Sequence, residues 1–457
     1  MFALTVGTRM AGSGRRLRLA FCLICTTCPL PLAAQDGVKQ VEGSPVLATS
    51  SSVIARIEFF GNRVTQPQIL LQEMVVKEGD IADPARIEQS RQAIMDLGLF
   101  ISVHANVEPS DNGVVLRIVV KEKHYILPVP KLNRDDDNNI SLGAELSFDN
   151  LAGLNQKLKL RYESEDAQGV SGGKVTTSLL SYNYPRVQGS PWLLRTEVTQ
   201  THSPAEVVTG TTLDSLYQLE AWTAAVQASR WLDPLGQSHG WQLGGGLVWR
   251  HNAFDYASMA PTSVFQDSQA VGVSLLAQRI DVRDFLFSRS GKEYGYNGEF
   301  GSRTLGSDTS YTRHEFFYRA YLLLDGRPHE NIDIQGRLGL SSGDIFPGVG
   351  YAYSLGGSKT LRGYETGSSS GNAHVVFNVQ YLRPFFGYYP FRGVLFLDIG
   401  NAYPSNTELH LGAVKWDFGV GFRLRIKSLV KIDLRVDAAY AYDTGTWKYF
   451  AGTKEVF

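Results

Sequence analysis

A chain of 457 residues with 43% apolar and 19% charged side chains is too apolar to stay disordered and long enough for one large barrel plus a small companion. Its 46 Gly, 21 Tyr, 23 Phe and 7 Trp against 5 Met favour strands and turns and disfavour a helical enzyme. A net charge of −1 supplies no basic footprint for nucleic acid.

The chain opens on a basic n-region (Arg9, Arg15, Arg16, Arg18), an apolar stretch over residues 19–32, and Leu32-Ala33-Ala34 before Gln35. These are the features of a secretory signal peptide over residues 1–34. The apolar stretch is short of the ~20 residues of a spanning helix, and Pro29 and Pro31 interrupt it. Cys22, Cys25 and Cys28 all lie inside it, so the cleaved chain has neither a disulfide nor a thiolate metal ligand. Loss of the arginines takes the net charge from −1 to −5, and the leader points to the bacterial envelope. Residues 35–52 are polar and rich in Ser, Gly and Val, as in a linker.

Residues 53–122 carry a mixed pattern. Ile54, Ile57 and Phe59 lead into Gly61-Asn62, a strand entering a turn. Thr65 is placed as the N-cap of a helix holding Ile69, Leu70 and Met74. Asp83-Pro84 opens a second helix, with Ile87, Ile94 and Leu97 on one face and Gly98 at its end. Two strands follow, joined by Asp111-Asn112-Gly113. The order β-α-α-β-β, with Ile57-Glu58-Phe59-Phe60-Gly61-Asn62, Gly79 and Leu97-Gly98-Leu99-Phe100, resembles a POTRA domain. A small α+β domain of another kind is the alternative. The open edges of so small a sheet could add an extended peptide as a further strand.

From residue 124 to residue 457 the period becomes two. Trp416, Phe418, Val420, Phe422, Leu424 and Ile426 alternate with Asp417, Gly419, Gly421, Arg423, Arg425 and Lys427. Leu434, Val436, Ala438 and Tyr440 likewise alternate with Asp433, Arg435 and Asp437. One face suits lipid and the other a polar lumen, as in a transmembrane antiparallel β-barrel. Five strands follow a long loop near residues 341–373, and ten precede it, beginning near Ile140, Gln156, Val175, Trp192, Leu216, Gly240, Gln269, Gly291, Tyr311 and Glu330. A weaker segment at 124–133 makes the total sixteen. In it Pro128 and Pro130 lack N–H donors on one edge. If that edge meets the last strand, which ends at Phe457, the closing seam is short of hydrogen bonds and could open laterally. Alternatively the prolines only end the connection from the first unit.

The long loop carries Gly356-Gly357-Ser358-Lys359-Thr360-Leu361-Arg362-Gly363-Tyr364, and a downstream strand carries Phe396-Leu397-Asp398-Ile399-Gly400. The first resembles the (V/I)RG(F/Y) signature of the BamA/TamA superfamily and the second its F-x-D-x-G motif. In the strand, Leu395, Leu397 and Ile399 alternate outward and leave Asp398 in the lumen. A loop folded inward could set Arg362 against Asp398, because a guanidinium fork matches a carboxylate bidentately. Gly363 suits a tight tip. The resemblance implies a second acid on the preceding strand, where this sequence has Gln380, so that contact stays open.

Gly367-Ser368-Ser369-Ser370-Gly371 matches G-x-S-x-G by letter, but it lacks the strand-to-helix setting of a nucleophile elbow. There is no H-E-x-x-H and no Walker pattern. The run Asp135-Asp136-Asp137-Asn138-Asn139 lacks the Gly and Glu of a calcium loop. No catalytic residue, metal or cofactor is therefore expected. The resemblance implies a bacterial outer-membrane factor that receives unfolded outer-membrane or secreted protein at a periplasmic POTRA unit and inserts it into, or moves it across, a lipid membrane. A two-partner-type secretion translocator and a passive channel are the alternatives, and an accessory periplasmic or lipoprotein partner is left open.

Overall fold

A computed structural model describes residues 52–134, 140–166, 173–209, 212–233, 238–258, 266–343, 352–429 and 433–452. The leader, most of the linker, Asp135 to Asn139 and Phe457 lie outside the described residues.

The first unit has the order β1 (Ile54–Phe60), α1 (Pro67–Glu73), α2 (Pro84–Asp96), β2 (Phe100–Ser110) and β3 (Gly113–Glu122), with a β1-β3-β2 sheet in which β1 and β3 are parallel. Asp83 caps α2 by accepting from Ala85 N at 2.9 Å, and Pro84 supplies the first helical residue without an orphan N–H. Thr65 does not cap α1. That position belongs to Gln66, which makes no side-chain cap, while the buried Thr65 hydroxyl donates to Glu122 Oε1 at 2.6 Å. A buried hydroxyl beside a carboxylate forms the stronger, charge-assisted bond. The helices cover one sheet face, and Leu70, Ile94, Leu99, Phe100, Leu116 and Ile118 are fully buried between them. Each such side chain contributes about 1.5–3 kcal/mol of transfer free energy.

The second unit is a sixteen-stranded antiparallel sheet spanning residues 126–452. Its strands are β4 (Ile126–Arg134), β5 (Ile140–Leu151), β6 (Gln156–Asp166), β7 (Lys174–Tyr184), β8 (Trp192–Thr209), β9 (Thr212–Trp231), β10 (Gly240–Ser258), β11 (Ser268–Phe285), β12 (Ser288–Gly301), β13 (Tyr311–Leu323) and β14 (Asn331–Gly343). After a loop with its own hairpin, β15 (Tyr353–Leu355) and β16 (Ser369–Gly371), come β17 (Ala373–Phe385), β18 (Tyr388–Tyr403), β19 (Lys415–Arg425), β20 (Asp433–Ala441) and β21 (Thr446–Gly452). Phe377, Leu395, Phe418, Val420, Leu434 and Val436 point outward and are exposed, while Asp398, Asp417, Arg423, Arg435 and Asp437 point inward and are buried. A continuous exposed apolar belt of that size is unfavourable in water and favourable against lipid tails. No described helix is long and apolar enough to cross a membrane.

The sheet is not closed by a ladder between β4 and β21 among the described residues, although the two strands run side by side. The Asp149 N–H donates to the Tyr125 carbonyl at 2.7 Å, one step beyond the Ile126 and Phe148 pair. Bonded and non-bonded pairs alternate in an antiparallel ladder, so the odd residues of β4 bond to β5. The even ones, Pro128 and Pro130 among them, turn their nitrogens to the opposite edge, the one beside β21.

Candidate functional site

The loop over residues 352–372 folds into the lumen because its glycines allow it to double back. Gly356 has φ +111°, and a Cβ there would stand 1.8 Å from the Glu365 carbonyl oxygen. The Gly357 N–H donates to the Tyr364 carbonyl at 2.8 Å, and the Gly356 N–H donates to the Thr360 hydroxyl oxygen at 2.8 Å. Leu361 and Tyr364 are thereby pressed into a buried cluster with Leu355, Val376, Ala402 and Ala441.

Between them Arg362 is fully buried. Its Nε and Nη2 donate to the two oxygens of Asp398 at 2.6 and 2.7 Å, and its guanidinium lies 3.5 Å from the centre of the Phe396 ring. A bidentate, charge-assisted pair backed by an aromatic face is the strongest fixing a guanidinium obtains. Asn378 completes the carboxylate by donating to Asp398 Oδ1 at 2.8 Å and to the Thr360 carbonyl at 2.6 Å, and Gln335 orients Asn378 at 3.1 Å.

The second acid is not on β17. Gln380 donates instead to Asp333 at 3.2 Å and takes no part with Arg362. Arg362 Nη1 faces Asp437 on β20 at 3.7 Å, a charge contact. Asp437 is itself held by Arg423 at 2.6 Å and by Arg435 at 2.8 Å, and Arg435 donates to the Ser358 carbonyl of the loop at 2.7 Å. The inward side chains of β18, β19 and β20 thus bind the loop through two buried acids. Alternation alone places Asp437 and Arg435 in the lumen; their meeting with Arg362 depends on the inward fold of the loop.

Gly363 is required for a reason other than a sharp tip. It is not among the positive-φ glycines, but a Cβ there would stand 2.6 Å from the Cβ of the buried Asp417 and 2.9 Å from Ala441 N. Gly400 likewise leaves no room, with Val375 O 2.6 Å from a built Cβ. The Gly367 to Gly371 run contributes β16, and the Ser369 hydroxyl donates to Asn401 Oδ1 at 2.6 Å.

The first unit is held against four successive turns of the sheet, contacts that the sequence alone did not reveal. Asn150 donates to the Thr65 hydroxyl at 2.8 Å at the β5–β6 turn. Buried Glu73 accepts from Arg186 Nε at 2.8 Å after β7 and from Ser238 N at 2.9 Å before β10. Asp284 N donates to Asp96 Oδ1 at 2.8 Å at the β11–β12 turn, where Leu286 packs on the core of the first unit. Burial pushes the Asp96 carboxyl up to about 6, against hydrogen bonds from Asp284 and Gln92 that pull it down.

Comparison with known proteins accounts for both units. The family model described as the Omp85 superfamily domain matches residues 150–445, and that for POTRA, described as surface antigen variable number repeat, matches residues 52–123. The outer membrane protein assembly factor BamA of Nitratidesulfovibrio vulgaris is 34% identical over 110 residues, 24% of this chain and 14% of that protein. BamA of Neorickettsia risticii is 24% identical over 284 residues, 59% of this chain and 35% of that protein. The matches therefore span well under half of either curated relative's length. Among solved structures, Haemophilus ducreyi BamA lacking POTRA domains 1–3 aligns with TM-score 0.53 at 17% identity, over 88% of this chain and 84% of that one. CdiB of Escherichia coli aligns with TM-score 0.60 at 14% identity, over 89% and 77%, and CdiB of Acinetobacter baumannii with TM-score 0.59 at 14% identity, over 88% and 73%.

Proposed function

Since the chain belongs to the Omp85 superfamily, we propose that it is an assembly or translocation factor for outer-membrane or secreted proteins. The barrel stands in the bacterial outer membrane with the POTRA unit in the periplasm. The POTRA sheet edge receives unfolded polypeptide, and the barrel inserts it into the membrane or moves it across. The observation that carries this reading is the fully buried Arg362, which holds the lumen loop on Asp398 and Asp437. A passive channel has no need of a loop locked across its lumen, and the lock supports a barrel whose interior changes state in a controlled way.

The seam is the exit in this reading. Pro128 and Pro130 remove two donors from the edge of β4 that lies beside β21, so the strands separate at lower cost than a full ladder would allow. Folding of the client supplies the driving force, and no nucleotide or metal is invoked.

The test is insertion of a radiolabelled unfolded barrel protein into liposomes that contain the purified protein, with and without a disulfide joining β4 to β21. Acceleration that disappears in the oxidised form and returns on reduction supports insertion through the seam. Delivery of client into the vesicle interior, unaffected by the disulfide, favours the secretion translocator. Steady ion conductance with no effect on the client favours the passive channel.

A further inference from the structure

Away from the Arg362 lock, the extracellular end of the lumen holds positive groups with unused donors. Tyr353, on the first strand of the loop hairpin, stands over Gly339, where a built Cβ would come 2.7 Å from the Tyr353 ring and 2.2 Å from the His374 ring. The two rings are tilted at 52° with centres 4.4 Å apart. The Tyr353 hydroxyl is already committed to the His314 carbonyl at 2.8 Å and the Leu340 carbonyl at 3.1 Å. Arg313 reaches in from β13, its guanidinium carbon 5.0 Å from the centre of the Tyr353 ring. Arg337 lies two residues from Gly339 on β14, diagonal to His374 across the β14–β17 ladder, and both arginines act electrostatically on His374.

These groups satisfy one another only in part, through the contact of Arg313 with Tyr353. Among the described residues Arg313 Nε, Arg337 Nε, Arg337 Nη2 and the His374 ring nitrogen Nδ1 are buried atoms without a hydrogen-bond partner. Among the described residues the acid that approaches Arg313 is Glu315, at 3.9 Å, and it hydrogen-bonds neither guanidinium. The neighbouring Arg319 shows the contrast, with Glu293 at 2.9 Å and Gln335 at 2.8 Å. Buried donors left without acceptors are costly, and planar guanidinium forks with unused N–H groups on neighbouring strands suit an oxyanion.

We propose that the lumen contains a binding site for a free inorganic oxyanion of the phosphate or sulfate kind, formed by Arg313, Arg337 and His374 beneath Tyr353. The anion accepts from the unused guanidinium N–H groups and bridges β13 and β14 to β17. Because Tyr353 belongs to the loop hairpin, the bound anion also steadies the base of the loop, independently of the Arg362 lock. Glu315 competes with it for the same donors.

The experiment is a titration of inorganic phosphate with the purified full-length protein in detergent, read by 31P line broadening at constant ionic strength in chloride. The wild type broadens the line saturably. Arg313→Gln and Arg337→Gln each weaken binding by roughly tenfold or more, as loss of a charge-assisted pair requires, while Glu315→Gln tightens it. Heat-modifiable gel migration verifies that each variant is folded, and Arg337→Lys, which keeps the charge but loses the fork, binds with intermediate affinity. No saturable broadening by the wild type, or equal broadening by the folded Arg337→Gln protein, overturns the assignment. Displacement of phosphate by equimolar dihexanoylphosphatidate, in the same titration, overturns the free-anion source in favour of a lipid headgroup.

Discussion

The POTRA core and the lumen site bury side chains equally well by opposite chemistry. Leu99, Phe100, Leu116 and Ile118 are removed from water by other apolar groups, whereas Arg362, Asp398 and Asp437 reach the same burial in the barrel by meeting one another. An apolar core tolerates a volume-conserving exchange, because its interactions are non-directional. A buried charge cluster does not, because one missing partner leaves another charge uncompensated. The POTRA unit therefore tolerates exchange, whereas the lumen site holds one arrangement of the loop through charges that depend on one another.

The largest effect expected from breaking this contrast is at the lock. Arg362→Ala strands Asp398 without its counter-charge and should cost about 3–5 kcal/mol, read as a lower urea midpoint for barrel unfolding from vesicles. Leu116→Ala opens a cavity in the POTRA core and should cost about 2–5 kcal/mol, read as lost hydrogen-exchange protection confined to β1–β3 while gel migration of the barrel is unchanged. Asp83→Ala removes the α2 cap, which accepts at 2.9 Å, and should cost about 1 kcal/mol, with faster exchange in the first turn of that helix.

The smallest effect concerns the joint between the two units. The Asp96 carboxyl is raised from 3.8 to about 6 by burial against the β11–β12 turn, so the docked state holds its proton more tightly than the undocked one. Docking is then strongest in acid, weakens as pH rises through that interval, and is constant above it. Asp96→Asn should abolish the dependence, measured as the spread of spin-label distances between α2 and the barrel at low and neutral pH.

Much of this architecture was legible because it repeats. A period of two over sixteen strands states which face is wet, and Gly356-Gly357 with Leu361-Arg362-Gly363-Tyr364 marks a loop that must fold tightly. Alternation put Asp398 in the lumen, and it stands 2.6 Å from Arg362. The role of Asp437 was not legible, although the same alternation faces it inward, because its approach to Arg362 joins residues 75 positions apart through a loop path that no local pattern encodes. Thr65 misled for a related reason: its local signature is that of a cap, and its actual acceptor, Glu122, is 57 residues away. The Glu73 and Arg186 pair, separated by 113 residues, left no periodic trace at all.

The central claim is that the loop held by Arg362 governs handling of the client. Its most direct test is the rate of client assembly in liposomes by Arg362→Ala and Arg362→Lys beside the wild type, each first shown to be folded by heat-modifiable migration. The account predicts that folded Arg362→Ala loses most of the acceleration and that Arg362→Lys, keeping the charge without the bidentate fork, falls between. Folded Arg362→Ala protein that assembles client at the wild-type rate would contradict it.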